Sequence, residues 1–160
     1  QDWFDLSPEG RKTRAQELGV EIIPGLVDFE VTNQVFEKLV EAKTVNPVFY
    51  THLPRELVPL AKQNTEDPSL VDVFELIANG QELAPGYSEL NDPIAQRQRL
   101  RDQAGGEQQR LDEDFLTALE HGMPPAGGIG LGIDRLVMTL TGAESIRDVI
   151  LFPLLKQRAT

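Results

Sequence analysis

The chain contains no cysteine, so neither a disulfide framework nor a thiolate metal site can form. It has only two histidines, His52 and His121, which offer no ligand spacing and read as hydrogen-bonded structural residues. No run of about 18 apolar residues is present, and Gln1 to Leu6 lack the basic start and apolar stretch of a secretory signal. A soluble, cytoplasmic protein with no membrane partner is expected. Positive charge is also scarce: 15 basic residues stand against 26 acidic ones, a net charge of −11, with both signs scattered along the chain. Long-range attraction to nucleic acid is therefore not expected from this stretch by itself. The sequence opens on Gln1 and in mid-pattern, which reads as a piece of a longer polypeptide.

What is there suits one folded unit: 160 residues, 40% hydrophobic and 26% charged. Ser7-Pro8-Glu9 supplies an N-cap, a first-turn proline and a first-turn acid, and Gly19 a stop, so a short helix is expected between them. Leu26, Phe29, Phe36, Leu39, Val40 and Ala42 recur at helical intervals and predict a second helix ending before Asn46-Pro47. Residues 1–46 thus read as a helical segment. Residues 47–160 read as α+β, with β-like runs at 48–53, 70–78, 81–89 and 127–130 and helices at 93–104, 113–120 and 132–141. The polar stretch 104–109 reads as a loop. Arg97, Arg99, Arg101 and Arg110 alternate with acids and read as a solvated helix face.

Asn79-Gly80 is the residue pair that best tolerates positive φ at both centres of a type I′ hairpin turn. With that turn, Ala78 faces Gln81, Ile77 faces Glu82 and Glu75 faces Ala84, which leaves Glu75 and Glu82 as diagonal neighbours on one face. Such pairs sit about 7 to 8 Å apart at Cα, within reach of one hard cation such as Mg²⁺. A pair of glutamates on a solvated sheet face would look the same. A third acid, Glu89, follows Tyr87 and the Pro85-Gly86 pair, unusual residues inside a strand. Strict alternation puts Tyr87 and Glu89 on the face opposite Glu82, so a shared pocket requires a β-bulge near Ala84-Pro85-Gly86.

Gly128, Gly130 and Gly132 fall at spacing two, so a strand here has one face without side chains, on which a base or ribose can rest. Ile129, Leu131 and Ile133 would then point into the core. Arg135 falls in the first turn of the next helix, where a planar guanidinium suits phosphate oxygens. Close strand packing and a simple Arg135 pair with Asp134 or Asp148 remain open as plainer readings.

The stretch Gly128-Ile129-Gly130-Leu131-Gly132-Ile133-Asp134-Arg135-Leu136-Val137-Met138, followed by Ser145-Ile146-Arg147-Asp148-Val149-Ile150-Leu151-Phe152-Pro153, resembles motif 3 of class II aminoacyl-tRNA synthetases in the lysine-specific form. Phe74-Glu75-Leu76, Glu82-Leu83, Gly86-Tyr87-Ser88-Glu89-Leu90-Asn91-Asp92 and Pro59-Leu60-Ala61-Lys62 are similar to the same family. The resemblance implies an antiparallel sheet flanked by helices, and covers the C-terminal part of the catalytic domain. It makes Glu75 and Glu82 the Mg²⁺ and ATP-phosphate ligands and Arg135 the group on the γ-phosphate. Gly128 and Gly130 would lie beside the adenylate, Glu89 would receive the lysine ε-ammonium, and Tyr87 would flank its aliphatic stem. Where the family usually has asparagine, this chain has Pro85, which offers neither an amide side chain nor a backbone N–H.

The activity implied is ATP-dependent formation of lysyl-adenylate and transfer of lysine to tRNA(Lys) in a homodimer. Motifs 1 and 2 and the anticodon-binding domain lie upstream in the family, so these residues alone are expected to be inactive. Two other readings stay open: a synthetase-like paralogue that attaches lysine to a translation elongation factor, and a non-catalytic nucleotide-binding module.

Overall fold

A computed structural model describes residues 2–104 and 111–154, so the expected loop at 104–109 lies, after Ala104, outside the described residues. Helix α1 spans Pro8–Glu17, with Ser7 Oγ accepting from the Gly10 N–H at 3.2 Å and Gly19 turning the chain at φ 76°. Helix α2 spans Asp28–Leu39 and packs on α1, burying Ala15, Val20 and Val31 against Trp3, Ile22, Leu26, Val35 and Leu39. The apolar periodicity predicts that α2 continues through Ala42. Instead it stops at Leu39, and a 3-10 turn, Glu41–Lys43, follows. Thr44 Oγ1 donates to the Val40 carbonyl at 2.8 Å, and the turned chain hands its next carbonyls to the hairpin.

Four antiparallel strands follow in the order β1 (Val48–Thr51), β2 (Val73–Ala78), β3 (Gln81–Ser88) and β4 (Gly127–Ile129). Strand β2 starts three residues later than its sequence run. Leu70 and Val71 instead form isolated bridges with Pro54 and Gln63. The β2–β3 turn is the one that Asn79-Gly80 predicts, with φ of 53° and 74°. Ala78 pairs with Gln81 and Ile77 with Glu82, and then the register shifts: Leu76 pairs with Ala84 and Glu75 with Pro85 rather than with Ala84. Leu83 is the extra residue, so the bulge lies just before the stretch expected to hold it. The cause is tertiary: the Leu83 carbonyl accepts the Gly132 N–H at 2.9 Å, so it is satisfied by the incoming chain rather than by β2.

Helix α3 (Pro93–Ala104) packs on α4 (Glu113–Glu120), and Arg97 Nη1 closes on Glu113 at 2.8 Å. Arg99 departs from the solvated face expected of it: it is half-buried and its guanidinium donates to main-chain carbonyls. Helix α5 spans Ile133–Thr141 and ends where Gly142, at φ 73°, donates to the Met138 carbonyl at 2.8 Å. Ile129, Leu131 and Ile133 do not enter the core, contrary to expectation; they are 68%, 49% and 60% exposed. β4 is an edge strand, and α5 buries none of its own residues, so nothing among the described residues covers that face. No helix among the described residues is long and apolar enough to cross a membrane.

Candidate active site

Directly opposed residues of an antiparallel pair share a face. The register therefore sets Glu75 with Pro85, Ile77 with Glu82, and Val73 with Tyr87 on one side of the sheet, and Gly128 joins them opposite Tyr87. The bulge at Leu83 is what gathers them, since without it Glu82 and Tyr87 would lie on opposite faces. Tyr87 packs against a cluster of Ala61, Val71 and Val73. Glu89 follows, its N–H held by the Ala126 carbonyl at 2.9 Å. Its carboxylate curls over Gly128, where a Cβ would overlap Glu89 Oε1. The bare position at Gly128 is thus filled by Glu89, whereas at Gly130 the nearest atom to a Cβ would be Pro85 Cγ at 4.0 Å. Room for a flat ligand on main chain lies at Gly130.

A cavity of about 370 Å³ is lined by Glu82, Pro85, Gly130, Gly132, Asp134 and Arg135. Arg135 Nη1 donates to the Glu82 carbonyl at 2.8 Å and stands 3.9 Å from Glu82 Oε1. Among the described residues neither Asp134 nor Asp148 forms an ion pair with it. The remaining guanidinium nitrogens, half exposed beside the first turn of α5, are placed to meet an anion entering this cavity.

Two further acids belong to the site and escape sequence reasoning. Glu41 Oε1 accepts the Glu82 N–H at 3.1 Å, and Glu37 lies one helical turn before it. The Thr44 and Val45 carbonyls accept from Gly80 and Asn79 at 2.8 and 2.9 Å. A Cβ on Gly80 would stand 3.1 Å from the Ala42 carbonyl, so the left-handed turn position is also a close approach. The end of the helical segment therefore grips the hairpin that carries Glu75 and Glu82. Its only sequence signal is the four-residue spacing of Glu37 and Glu41, which says nothing about where they land.

Burial first, and then the neighbouring carboxylates of Glu82, Glu41 and Glu37, together push the Glu75 carboxyl up to about 7. A raised carboxyl means that the fold favours its neutral form. The stability it contributes is complete below its ordinary value of 4.5 and is lost as pH rises through about 7. The thermal midpoint without cation should therefore fall between pH 5 and pH 8, Mg²⁺ or Mn²⁺ should restore it at pH 8, and Glu75→Gln should flatten both responses. A midpoint independent of pH and cation in differential scanning calorimetry would refute the site.

Among the described residues no three His, Cys, Asp or Glu side chains converge as a complete ligand set. The neighbouring Glu75 and Glu82, on one face and close enough for one charge to act on the other, nevertheless suit Mg²⁺, which is commonly held by one or two carboxylates and takes its other oxygens from phosphates and water. The histidines are local: His121 Nδ1 lies 2.8 Å from the Thr117 carbonyl and His52 Nδ1 3.0 Å from Thr51 Oγ1.

The family model for class II tRNA synthetases (D, K and N) matches residues 10–156. The chain is 49% identical over 160 residues to the lysine–tRNA ligase of Syntrophomonas wolfei subsp. wolfei, covering 96% of this chain and 32% of that protein. It is 48% identical over 162 residues to the lysine–tRNA ligase of Bacillus subtilis (strain 168), covering 98% of this chain and 32% of the relative. With the lysine–tRNA ligase of Gloeobacter violaceus the identity is 50% over 151 residues, 91% of this chain and 30% of the relative. The chain thus spans about a third of the length of the curated relatives it matches. A sheet that gathers carboxylates around a glycine strand and an arginine, matched over nearly its whole length, has one assignment: the chain belongs to the class II tRNA synthetases of the D, K and N family.

Proposed function

We propose that the full polypeptide carrying this sequence is a lysine–tRNA ligase, and that these residues supply the cation, γ-phosphate and lysine side-chain parts of its site. The observation that supports lysine is Glu89, a half-buried carboxylate set over bare main chain at Gly128, on the face that also carries Glu75 and Glu82. An ammonium on a flexible apolar stem is the natural partner of such a group, and Tyr87 offers an aromatic wall for the methylenes.

In this reading the lysine carboxylate attacks the α-phosphorus of ATP in line, releasing pyrophosphate and leaving lysyl-adenylate, from which lysine passes to the 3′ end of tRNA(Lys). No protein nucleophile is needed; catalysis is positioning and charge neutralisation. Glu75 and Glu82 would hold Mg²⁺, which when bound neutralises phosphate charge. Arg135 would bind the γ-phosphate, and Gly130 would leave main chain open to the adenosine. The tRNA is contacted mainly outside these residues, and the working unit is a homodimer.

The test is amino-acid-dependent ATP–pyrophosphate exchange by the full polypeptide, followed by transfer of labelled lysine. Exchange with lysine and not with aspartate or asparagine, and label on tRNA, are expected. Equal exchange with the other amino acids, or label on an elongation factor and none on tRNA, would overturn the reading. The 160 residues alone should give no exchange, because the resemblance places the groups for the α-phosphate and the lysine α-amino and carboxylate ends outside them.

Pro85 lines the cavity at the position where the family resemblance leads one to expect asparagine, and it withholds both an amide and an N–H. Pro85→Asn should lower the lysine KM by about tenfold, the worth of one added hydrogen bond of roughly 1 to 1.5 kcal/mol. An unchanged or raised KM in the same exchange assay would show that this departure is not what limits lysine affinity.

A further inference from the structure

Arg99 lies in the middle of α3, on neither strand of the hairpin, and among the described residues no carboxylate forms an ion pair with it. Its Nη1 donates instead to two main-chain carbonyls, those of Pro59, at 3.2 Å, and Ala61. The segment that carries them runs beside the chain around Glu89. Leu90 N–H donates to the Leu60 carbonyl at 2.9 Å, Ala61 bridges Glu89, and Lys62 N–H donates to the Ser88 carbonyl at 2.7 Å. Pro59 and Leu60 sit in a turn closed by the Ala61 N–H on the Val58 carbonyl at 3.1 Å, the Leu60 carbonyl takes the Leu90 N–H, and the Lys62 carbonyl takes that of Asp72 at 2.9 Å. Among the described residues no main-chain N–H donates to the Pro59 or Ala61 carbonyl, so the guanidinium from α3 supplies their partner.

Glu89 is therefore held from both edges. Ala126 takes its N–H on the β4 side, and the strap of Leu60, Ala61 and Lys62 braces the other. Ala61 is fully buried, in the same cluster on which Tyr87 packs, so a shift of the strap is transmitted to both groups proposed to meet the lysine side chain. Among the described residues the two groups proposed to meet phosphate, Glu82 and Arg135, form no hydrogen bond with the strap.

We propose that Arg99 is a positioning residue for lysine recognition: by fastening the Pro59 and Ala61 carbonyls it holds the strap that sets Glu89 over Gly128. This rests on the reading of Glu89 as the partner of the lysine ammonium. A carboxylate must be held to within about half an ångström to be worth its full effect on a bound charge, and a misplacement of about 1 Å from a remote substitution can cost up to about a hundredfold.

The experiment is steady-state exchange by the full polypeptide with Arg99→Met and Arg99→Lys, each with its thermal midpoint. Arg99→Met should raise the lysine KM by about tenfold and leave the ATP KM within about twofold, a split that general loosening of the fold does not produce. Arg99→Lys, which keeps a cationic donor, should recover most of the loss. In a Glu89→Ala background Arg99→Met should add no more than about twofold to the lysine KM, since its main effect runs through that carboxylate and only the lesser contact of Tyr87 remains. The proposal is overturned if the lysine KM is unchanged, if both KM values rise together, or if the effects of Arg99→Met and Glu89→Ala multiply. Should Arg99→Met fail to fold, Arg99→Gln, whose shorter uncharged amide cannot span both carbonyls, should show the same split at smaller size, and its absence there overturns the proposal. If Glu89→Ala leaves lysine use intact, the reading of the site has failed; if only the Arg99 variants are silent, this proposal alone has failed.

Discussion

Glu89→Ala in the full polypeptide should raise the lysine KM by about a hundredfold or more, with little change in the ATP KM. The carboxylate is half-buried against main chain, where a charge pair is worth more than at a wet surface, and stranding one partner typically costs about 2 to 5 kcal/mol. Glu89→Gln keeps the shape and one acceptor but loses the charge, so it should fall most of the way with the alanine variant. Gly128→Ala should do the same by a different route, because its Cβ takes the space of Glu89 Oε1. Lysine-dependent exchange kinetics over a wide lysine range read all three. A Glu89→Ala enzyme with ordinary lysine KM would mean that the carboxylate curled over Gly128 serves the fold and not the substrate.

The second large effect belongs to Arg135. Arg135 would bind the leaving pyrophosphate through its γ-phosphate end, and removing one well-placed donor to charge that develops in a transition state typically costs about 10² to 10³ in rate. Arg135→Ala should accordingly lower kcat for adenylate formation by about that factor, while the lysine KM stays near its starting value. The side chain is 49% exposed and among the described residues its one hydrogen bond is to the Glu82 carbonyl, so the thermal midpoint should hardly move. Arg135→Lys should recover part of the rate but not the fork geometry. A kcat within a few-fold of the parent would place the γ-phosphate elsewhere.

Much of this site is legible from local chemistry. Asn79-Gly80 announces its turn because few residues accept two positive φ values in succession, and Ser7 and Gly142 mark helix ends for equally local reasons. The need for a bulge also follows from alternation alone, given that Glu82, Tyr87 and Glu89 must share a face. Its place does not. Leu83 is chosen because Gly132, 49 positions later, demands its carbonyl, and no window around the hairpin contains that demand. The same holds for Glu41, whose grip on the Glu82 N–H joins residues 41 positions apart, and for Arg99, which reads as one more solvated arginine until the strap is in place. Ile129, Leu131 and Ile133 fail in the opposite sense: the alternation that points them away from the glycine face is sound, but an apolar strand face implies a core only if another element covers it.

The role proposed for the Glu89 carboxylate is to read the ammonium of an amino acid activated beside Glu75, Glu82 and Arg135. Its most direct test is equilibrium binding to the full polypeptide of two non-hydrolysable aminoacyl-adenylate analogues, lysyl and norleucyl, which differ only in the terminal ammonium. The lysyl compound should bind about a hundredfold more tightly, and Glu89→Gln should remove most of that preference. Equal binding of the two by the unaltered protein would contradict it.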